Sequence, residues 1–177
     1  TYLGLTANSL TSLPPQIGDL KRLSSVLDLR GNDLTSLPVR IGELKNLTGL
    51  YLTNNELQCL PEQIGQLRNL TDIDISYNDL KRLPAQIGYL NNLTRLNLSI
   101  NNLQNIPIQI GLLQNLQELY LSGNKLQNLP SQIKELKNLT YLDLSYNPLS
   151  QSEKDKIRGW LPPGCTIIFE EEGEEEE

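Results

Sequence analysis

The stretch NLTDIDISYNDLKRLPAQIGYLNNL, residues 69–93, joins a short strand pattern to a proline-led polar segment. In it Ile73 and Ile75 alternate with Asp72 and Asp74, and successive residues of a strand point to opposite sides. The isoleucines therefore predict a buried face. The two aspartates lie on the other face, and the use of that face is the central question.

The pattern of this stretch recurs along the chain as L-x-x-L-x-L-x-x-N-x-L-x-x-L-P-x-x-I-G-x-L-x-x, with Ile at some Leu positions. Its asparagines are Asn8, Asn32, Asn55, Asn78, Asn101, Asn124 and Asn147. The first two are 24 residues apart and every later pair is 23 apart. A fixed period of this length, with this spacing of leucine and asparagine, is the signature of a leucine-rich repeat.

One repeat cannot bury its own apolar side chains, because a single strand and turn leave one side of each uncovered. In the fifth copy the residues predicted to point inward are Leu93, Leu96, Leu98, Leu103, Ile106, Ile110 and Leu113. Each fully buried Leu or Ile contributes roughly 1.5–3 kcal/mol, so stability accumulates along a one-dimensional stack.

The polar residues of the motif are predicted to be structural. The asparagine amide can both donate to and accept from backbone groups at the end of the strand. The proline suits the first position of a short helix or 3₁₀ turn. The glycine, which Lys134 replaces in the sixth copy, is expected to relax the end of that turn. The recurring NLT sequons at Asn46, Asn69, Asn92 and Asn138, with a fifth sequon at Asn97, are interpreted as repeat consensus rather than glycosylation sites.

The repeat resembles the 23-residue type of the Ras-group leucine-rich repeat proteins of plants, of related animal signalling scaffolds and of bacterial proteins, including leptospiral ones. The resemblance covers about residues 1–150, and the ending NPLSQSEKDKIRGWLPPGCTIIF is similar to the closing segment of stand-alone bacterial members. It implies an α/β fold: a right-handed, curved solenoid with a parallel concave sheet, short helices or 3₁₀ turns on the convex side, and a C-terminal cap. The resemblance also implies that the concave sheet binds other proteins, without a fixed ligand.

The chain divides into three predicted segments. Residues 1–149 hold seven repeats, of which the first is incomplete and the seventh runs into the cap. Residues 150–169 are expected to form a helix-strand cap, with Ser150 and Glu153 as a capping box. Residues 170–177 form an acidic tail that is predicted to be disordered.

The net charge of −6 is concentrated in that tail. Residues 170–177 hold seven of the 21 acidic residues, which leaves 14 acids against 15 bases elsewhere. The tail is interpreted either as an acidic arm for a basic partner or as a solubilising segment. No basic stripe with interleaved aromatic residues is present, so nucleic-acid binding is not expected.

The residue inventory argues against an enzyme. The chain has no histidine, which excludes Ser-His-Asp and Cys-His nucleophile systems, and it has neither a P-loop nor a G-x-G-x-x-G motif. Asp72 and Asp74 could be taken for an acid–base pair, but an open sheet gives neither a desolvated pocket that would raise its pKa. We therefore predict no catalytic residue, no metal site and no cofactor.

The cysteines and the apolar pattern bear on location and assembly. Cys59 and Cys165 are separated by four repeat intervals, roughly 19 Å at about 4.8 Å per strand, whereas a disulfide needs Cα atoms about 4.4–6.8 Å apart. Flanking cysteine clusters are also missing, which favours a reducing compartment or a bacterial protein. No apolar run reaches the length of about 18 residues that spans a membrane. We expect a cytoplasmic protein, with a secreted or cell-surface bacterial protein as the alternative.

The start of the chain is predicted to be an open end of the stack. The apolar residues Leu3, Leu5, Leu10 and Leu13 would lie there without a cover. A missing upstream repeat, cap or domain is the preferred interpretation. A monomer is expected, with dimerisation through this edge as the alternative.

Tyrosine is concentrated on the predicted concave face. The four outward positions of each repeat hold six of the seven tyrosines, namely Tyr2, Tyr51, Tyr77, Tyr120, Tyr141 and Tyr146. Tyrosine suits cross-strand packing, and it is also the residue that binding surfaces prefer, so both explanations stay open. The residues predicted to bind the partner are Tyr51, Asp72, Asp74, Tyr77, Arg95, Asn97, Glu118, Tyr120, Tyr141 and Asp143.

The same outward positions carry five acids and two arginines, which leaves a charge of −3 and favours a partner with a modestly basic surface. The leading hypothesis is a non-catalytic module that binds another protein or a peptide on the concave sheet. Two alternatives stay open. One is the sensing or targeting region of a larger signalling enzyme, a kinase or a Roco-type GTPase, whose catalytic domain lies outside this chain. The other is a secreted or surface bacterial factor that engages host protein or glycan.

Overall fold

The computed structural model describes residues 1–169, which form one eight-stranded parallel sheet, six 3₁₀ helices and one α-helix. The predicted acidic tail, residues 170–177, lies outside the described residues. The strands follow one another in chain order across the sheet, so every repeat pairs with the repeats before and after it. This is the leucine-rich repeat solenoid that the period predicts.

The regular elements are short and recur once per repeat. The strands are β1 (Leu3–Gly4), β2 (Val26–Asp28), β3 (Gly49–Tyr51), β4 (Asp72–Asp74), β5 (Arg95–Asn97), β6 (Glu118–Tyr120), β7 (Tyr141–Asp143) and β8 (Thr166–Ile168). The 3₁₀ helices are η1 (Pro15–Asp19), η2 (Val39–Glu43), η3 (Glu62–Gln66), η4 (Ala85–Tyr89), η5 (Ile108–Leu112) and η6 (Ser131–Glu135). The α-helix α1 (Gln151–Trp160) lies between β7 and β8.

The apolar residues of successive repeats form one continuous core. In the sheet, Ile73 is aligned with Leu96, and Leu96 with Leu119. All three side chains are fully buried. The seven inward positions predicted in the fifth copy are all buried, which confirms the face assigned to them. The core is thus a seam that runs the length of the stack.

The motif asparagines form a ladder beside this seam, as predicted. The Asn78 amide nitrogen donates to the carbonyl oxygens of Leu52 at 2.9 Å and Ile75 at 3.2 Å. Its Oδ1 atom accepts from the backbone N–H of Leu57 at 2.9 Å. One buried amide therefore satisfies backbone groups of its own repeat and of the preceding one.

A second asparagine ladder involves the sequon positions. The Asn69 amide donates to the Lys45 carbonyl at 2.8 Å, and the Asn92 amide donates to the Arg68 carbonyl at 2.8 Å. Asn115, which is not in a sequon, makes the equivalent bond to the Asn91 carbonyl at 2.7 Å. This common contact supports the interpretation of the NLT sequences as repeat consensus.

The position predicted for the motif proline was wrong by one residue in all six 3₁₀ helices. Pro84 is the N-cap of η4, with φ −69° and ψ 146°, and its carbonyl accepts from the Ile87 N–H at 3.1 Å. In η1 the motif proline, Pro14, is likewise the N-cap, and a second proline, Pro15, occupies the first helical position. The fixed φ of proline fits both positions, so the residue type alone does not separate them.

The role predicted for the motif glycine was also wrong. Gly88 is buried within η4, and a Cβ atom there would lie 2.6 Å from the backbone oxygen of Gln109 in the next turn. The glycine therefore allows adjacent turns to stack closely, rather than relaxing the end of its own turn. Lys134 takes this position in η6, and the next helical element along the chain is α1 instead of a seventh 3₁₀ helix.

The helix and strand predicted at the C-terminal end are present. Ser150 caps α1 by accepting from the Glu153 N–H at 3.3 Å. Glu153 is buried and does not complete the predicted capping box; its Oε1 accepts instead from the Leu129 N–H of the sixth repeat at 3.2 Å. Ile157 is fully buried and Trp160 packs against the core, while β8 pairs with β7.

Cys59 and Cys165 are both free thiols, as their predicted separation requires. Within residues 1–169, no helix has the length and apolar character needed to cross a membrane.

Replacing Leu98 by alanine should lower the free energy of unfolding by about 2–5 kcal/mol, because it leaves a cavity between two packed repeats. The exposed Gln104→Ala variant of the same repeat should stay within about 0.5 kcal/mol of wild type. Urea denaturation of the three proteins measures both values. Equal losses for the two variants would contradict the buried seam.

Replacing Gly88 by alanine should lower the free energy of unfolding by about 1–3 kcal/mol, because the added methyl group overpacks the contact with the next turn. Lys134→Ala, at the same position of η6, is the matched control and should change stability by less than about 0.5 kcal/mol. Thermal melts followed by circular dichroism test the pair. A Gly88→Ala protein as stable as wild type would show that close stacking is not the reason for the glycine.

Candidate functional site

The outward side chains of five adjacent strands form the surface that the sequence predicts as the binding site. In each three-residue strand the central residue is buried, and the first and third residues point away from the core. We call this surface the strand face, and its outward residues in β3–β7 are Gly49, Tyr51, Asp72, Asp74, Arg95, Asn97, Glu118, Tyr120, Tyr141 and Asp143. Nine of the ten predicted binding residues belong to it; Tyr77 follows the end of β4.

Arg95 is the centre of the strand face. Parallel register places it between Asp72 of β4 and Glu118 of β6. Its guanidinium lies 3.2 Å from the Asp72 carboxylate, 3.8 Å from the Asp74 carboxylate and 3.4 Å from the Glu118 carboxylate. Three carboxylates from two repeats thus surround one guanidinium, so the net charge of the cluster is negative.

The Tyr120 side chain belongs to the same cluster and contacts both Arg95 and Glu118. The Arg95 guanidinium stacks 5.1 Å from the centre of its ring, and its hydroxyl donates to Glu118 at 2.9 Å. The Tyr141 ring centroid is 5.1 Å away at a tilt of 41°. Burial raises the pKa of Tyr120, and the hydrogen bond to Glu118 raises it further. Tyr120 therefore presents a neutral phenol whose position is fixed from both sides.

Asp74 links the cluster to the polar residues at the strand ends. Its Oδ2 accepts from the Asn97 amide at 3.0 Å, and its Oδ1 accepts from the Ser76 hydroxyl at 2.6 Å. Asp143 makes the equivalent bond to the Ser145 hydroxyl at 2.6 Å within its own repeat. Six predicted residues, Asp72, Asp74, Arg95, Asn97, Glu118 and Tyr120, are thereby joined into one network.

A second ion pair lies at the N-terminal side of the strand face. Arg30 contacts the Asp28 carboxylate at 2.6 Å and 2.9 Å, and its guanidinium lies 5.5 Å from the centre of the Tyr51 ring. The Tyr2 hydroxyl donates to the same carboxylate at 3.3 Å. Asp28, Arg30 and Tyr2 were not among the predicted binding residues. Asp28 and Tyr2 occupy the same repeat positions as predicted residues, and Arg30 lies at another outward position, so all three could have been chosen on that signal.

The Asp28 carboxyl has a strongly shifted pKa. Its side chain is 3% exposed, and the hydrogen bond from Arg30 lowers its pKa to about 2 despite the opposing effect of burial. Asp28 is therefore ionised throughout the physiological range, and its contribution to stability depends on the arginine beside it.

Tyr77 lies apart from the strands and has an unusual backbone conformation. Its φ is +55°, in the left-handed region, and the residue is 57% exposed. Ile100 and Tyr146 occupy the same position in later repeats, with φ of +54° each. The signal for this conformation in the sequence is indirect: Gly31, Asn54 and Gly123 occupy the same repeat position and tolerate a positive φ, whereas a large side chain rarely adopts it.

The acids of the strand face are occupied by hydrogen bonds and ion pairs to neighbouring side chains. Among the described residues, no group of three or more His, Cys, Asp and Glu is arranged to hold a metal ion. The arrangement offers fixed aromatic rings, hydrogen-bonding groups and a negative balance of charge, which are the means of recognising another surface.

Comparison with known proteins places these features in context. A family model described as Leucine rich repeat matches residues 25–80 and 89–149, and a second of the same description matches residues 138–161. A solved structure of a leucine-rich repeat protein from Leptospira interrogans is 36% identical, with a TM-score of 0.55. The match covers 95% of this chain and 54% of that one, so this chain spans about half the length of its relative. No curated protein matches the chain.

The low pKa of Asp28 predicts a specific dependence of stability on pH. A depressed pKa stabilises the fold above the unfolded value of about 3.9, and this contribution is lost as pH falls toward the folded value of about 2. Wild type should exceed Asp28→Asn in free energy of unfolding by about 2 kcal/mol at pH 7, and this difference should shrink between pH 4 and pH 2. Urea denaturation at each pH measures it. A difference that stays constant down to pH 2 would contradict the assigned ion pair.

Proposed function

Since this chain belongs to the leucine-rich repeat family, we propose that it is a non-catalytic module that binds another protein or a peptide on the strand face. Leucine-rich repeat proteins are typically binding modules of this kind. The likeness to a leptospiral relative confirms the bacterial type of repeat that the motif predicts.

The network around Arg95 carries the proposal. A binding surface loses affinity when flexible side chains must be ordered on association, at about 0.5–1.5 kcal/mol for each. Here Arg95, Glu118 and Tyr120 already hold one another in place through an ion pair, a hydrogen bond and a cation–π contact. Aromatic and arginine side chains arranged in this way are those that dominate binding at protein interfaces.

The charge of the strand face supports a partner with a modestly basic surface. The Arg95 cluster contains three acids for one base, and Asp143 adds another acid three strands from Asp74. Complementary charge chiefly accelerates association and makes it sensitive to salt, while the aromatic groups limit dissociation. We therefore expect association to slow as ionic strength rises, with a smaller change in the dissociation rate.

The two tyrosines that flank the cluster provide the most direct test. Combining Tyr51→Ala with Tyr120→Ala should weaken binding of a partner, recovered by affinity capture on the intact chain, by more than about 2 kcal/mol. Calorimetric titration with the purified partner measures the loss. Melting temperatures of both proteins should be compared first, because the tyrosines also pack against Arg30 and Arg95.

A triple alanine change on the 3₁₀ side, at Gln63, Arg68 and Asn91, serves as the control and should leave affinity within about 0.5 kcal/mol of wild type, as is usual for positions outside an interface. With folding intact in both variants, loss of binding in the control and retention in the tyrosine variant would place the interface on the opposite side of the solenoid and contradict the proposal.

A further inference from the structure

Four residues just beyond the strands form a continuous surface along one side of the strand face. They are Tyr77, Ile100, Gly123 and Tyr146, which we call the left-handed ledge, and their φ angles lie between +54° and +63°. The backbones around them are joined from repeat to repeat: the Ile100 carbonyl accepts from Asn78 at 3.2 Å, and the Gly123 carbonyl accepts from Asn101 at 3.3 Å.

The ledge is apolar and exposed. The exposed fractions of residues Tyr77, Ile100 and Tyr146 are 57%, 42% and 58%. The Ile100 Cδ1 atom occupies space beside Gly123, where a Cβ would lie 2.6 Å from it. Ile100 therefore extends over the glycine of the sixth repeat, so the apolar surface is not interrupted there.

The ledge keeps large side chains in a backbone conformation that disfavours them. The left-handed region brings the Cβ atom close to the following carbonyl, and a β-branched residue such as Ile100 is the least suited to it. Gly31 and Asn54 occupy the same position in the second and third repeats, so the fold accepts residues that tolerate this conformation. Because the ledge side chains are exposed, burial in the fold offsets little of this strain. Strain of this kind points to a function.

The strand face beside the ledge is polar and carries acidic side chains, in contrast to the apolar ledge. Asp74 and Asp143 precede Tyr77 and Tyr146 by three residues in their repeats. Asp72 and Glu118 lie further along the same surface, where Arg95 is their shared base. Acids thus lie beside the ledge in the fourth, sixth and seventh repeats, whereas the fifth repeat contributes the base Arg95; we call these acids the acidic strip.

The spacing of the repeats favours a helical occupant. Adjacent strands are about 4.8 Å apart, so the three intervals from Tyr77 to Tyr146 span about 14 Å. Three turns of an α-helix span about 16 Å, whereas three same-face steps of an extended strand span about 20 Å. Side chains on one face of a helix therefore stay close to register with the ledge over its whole length.

We infer that the left-handed ledge and the acidic strip beside it receive a basic amphipathic α-helix of a partner protein, lying across the strands. Its apolar stripe contacts Tyr77, Ile100 and Tyr146, and its Lys or Arg residues face Asp74 and Asp143. This inference rests on the proposed function and adds the chemistry of the partner and the residues that select it.

Three synthetic peptides of equal length test the inference. The first places Leu and Lys at helical spacing, the second alternates the same residues at strand spacing, and the third keeps the helical pattern with Glu in place of Lys. Fluorescence anisotropy at physiological salt should show saturable binding of the first peptide, at least tenfold tighter than of either other. Equal binding of the strand-patterned or acidic peptide, or no saturable binding of the first, would overturn the inference.

A variant with Tyr77→Asn, Ile100→Asn and Tyr146→Asn should bind the first peptide at least tenfold more weakly, while its melting temperature stays equal or rises. Asparagine tolerates the left-handed conformation and is native at Asn54. The control combines Val39→Asn, Ile108→Asn and Leu112→Asn, which removes similarly exposed apolar side chains from the 3₁₀ side and should leave binding unchanged. An unchanged dissociation constant in the ledge variant, or equal weakening in both variants, would overturn the inference.

The Tyr51→Ala and Tyr120→Ala double variant separates this inference from the proposed function. If the double variant loses the first peptide and the ledge variant keeps it, the strand face still binds and only the ledge is excluded. If both variants bind as wild type does, the peptide uses neither surface and the inference is overturned, while titration of the captured partner still decides the proposed function.

Discussion

No single repeat of this protein can satisfy the hydrogen-bonding groups of its own backbone or bury its own leucines. The motif asparagine shows most directly how each repeat depends on its neighbour. The Asn101 amide donates to the Ile75 carbonyl at 3.0 Å and the Leu98 carbonyl at 3.1 Å, and it accepts from the Leu80 N–H at 2.9 Å. Its side chain therefore joins two repeats through buried hydrogen bonds, which are costly to leave unmade. The fold exists only as a stack, and its stability is a sum of such contacts between neighbours.

The regular register of the stack organises both surfaces of the molecule. On the sheet side it aligns Asp72, Arg95 and Glu118, so that residues 23 positions apart in the sequence become direct neighbours. On the other side the close approach of successive turns demands glycine at positions such as Gly88, which leaves little freedom there. The outward strand positions meet no such demand. They can therefore carry charged and aromatic side chains, as Arg95, Glu118 and Tyr120 show.

The sequence predicts much of this architecture because its signals are local and repeated seven times. The buried columns, the asparagine ladder and the outward position of Tyr120 all follow from the period. The mistaken role of Gly88 has a physical cause: it depends on how closely two turns approach, which spacing within one repeat does not reveal. Likewise Glu153 has a residue spacing that fits a capping box, yet its carboxylate satisfies the Leu129 N–H, a group 24 residues away.

The sequence predicts which positions form the candidate site, but it does not predict how their side chains interact. Alignment of equivalent repeat positions places Arg95 beside acidic residues. Only the side-chain geometry shows that Arg95 contacts three of these acids and stacks on Tyr120. The left-handed conformation of Ile100 has only an indirect signal, the glycine and asparagine at the same position of other repeats, because its own side chain argues against it. Backbone amide chemical shifts of the labelled protein, followed while a captured partner is added, test the central claim most directly. Binding on the strand face should produce the largest changes in β4, β5 and β6, and changes confined to the 3₁₀ helices would contradict it.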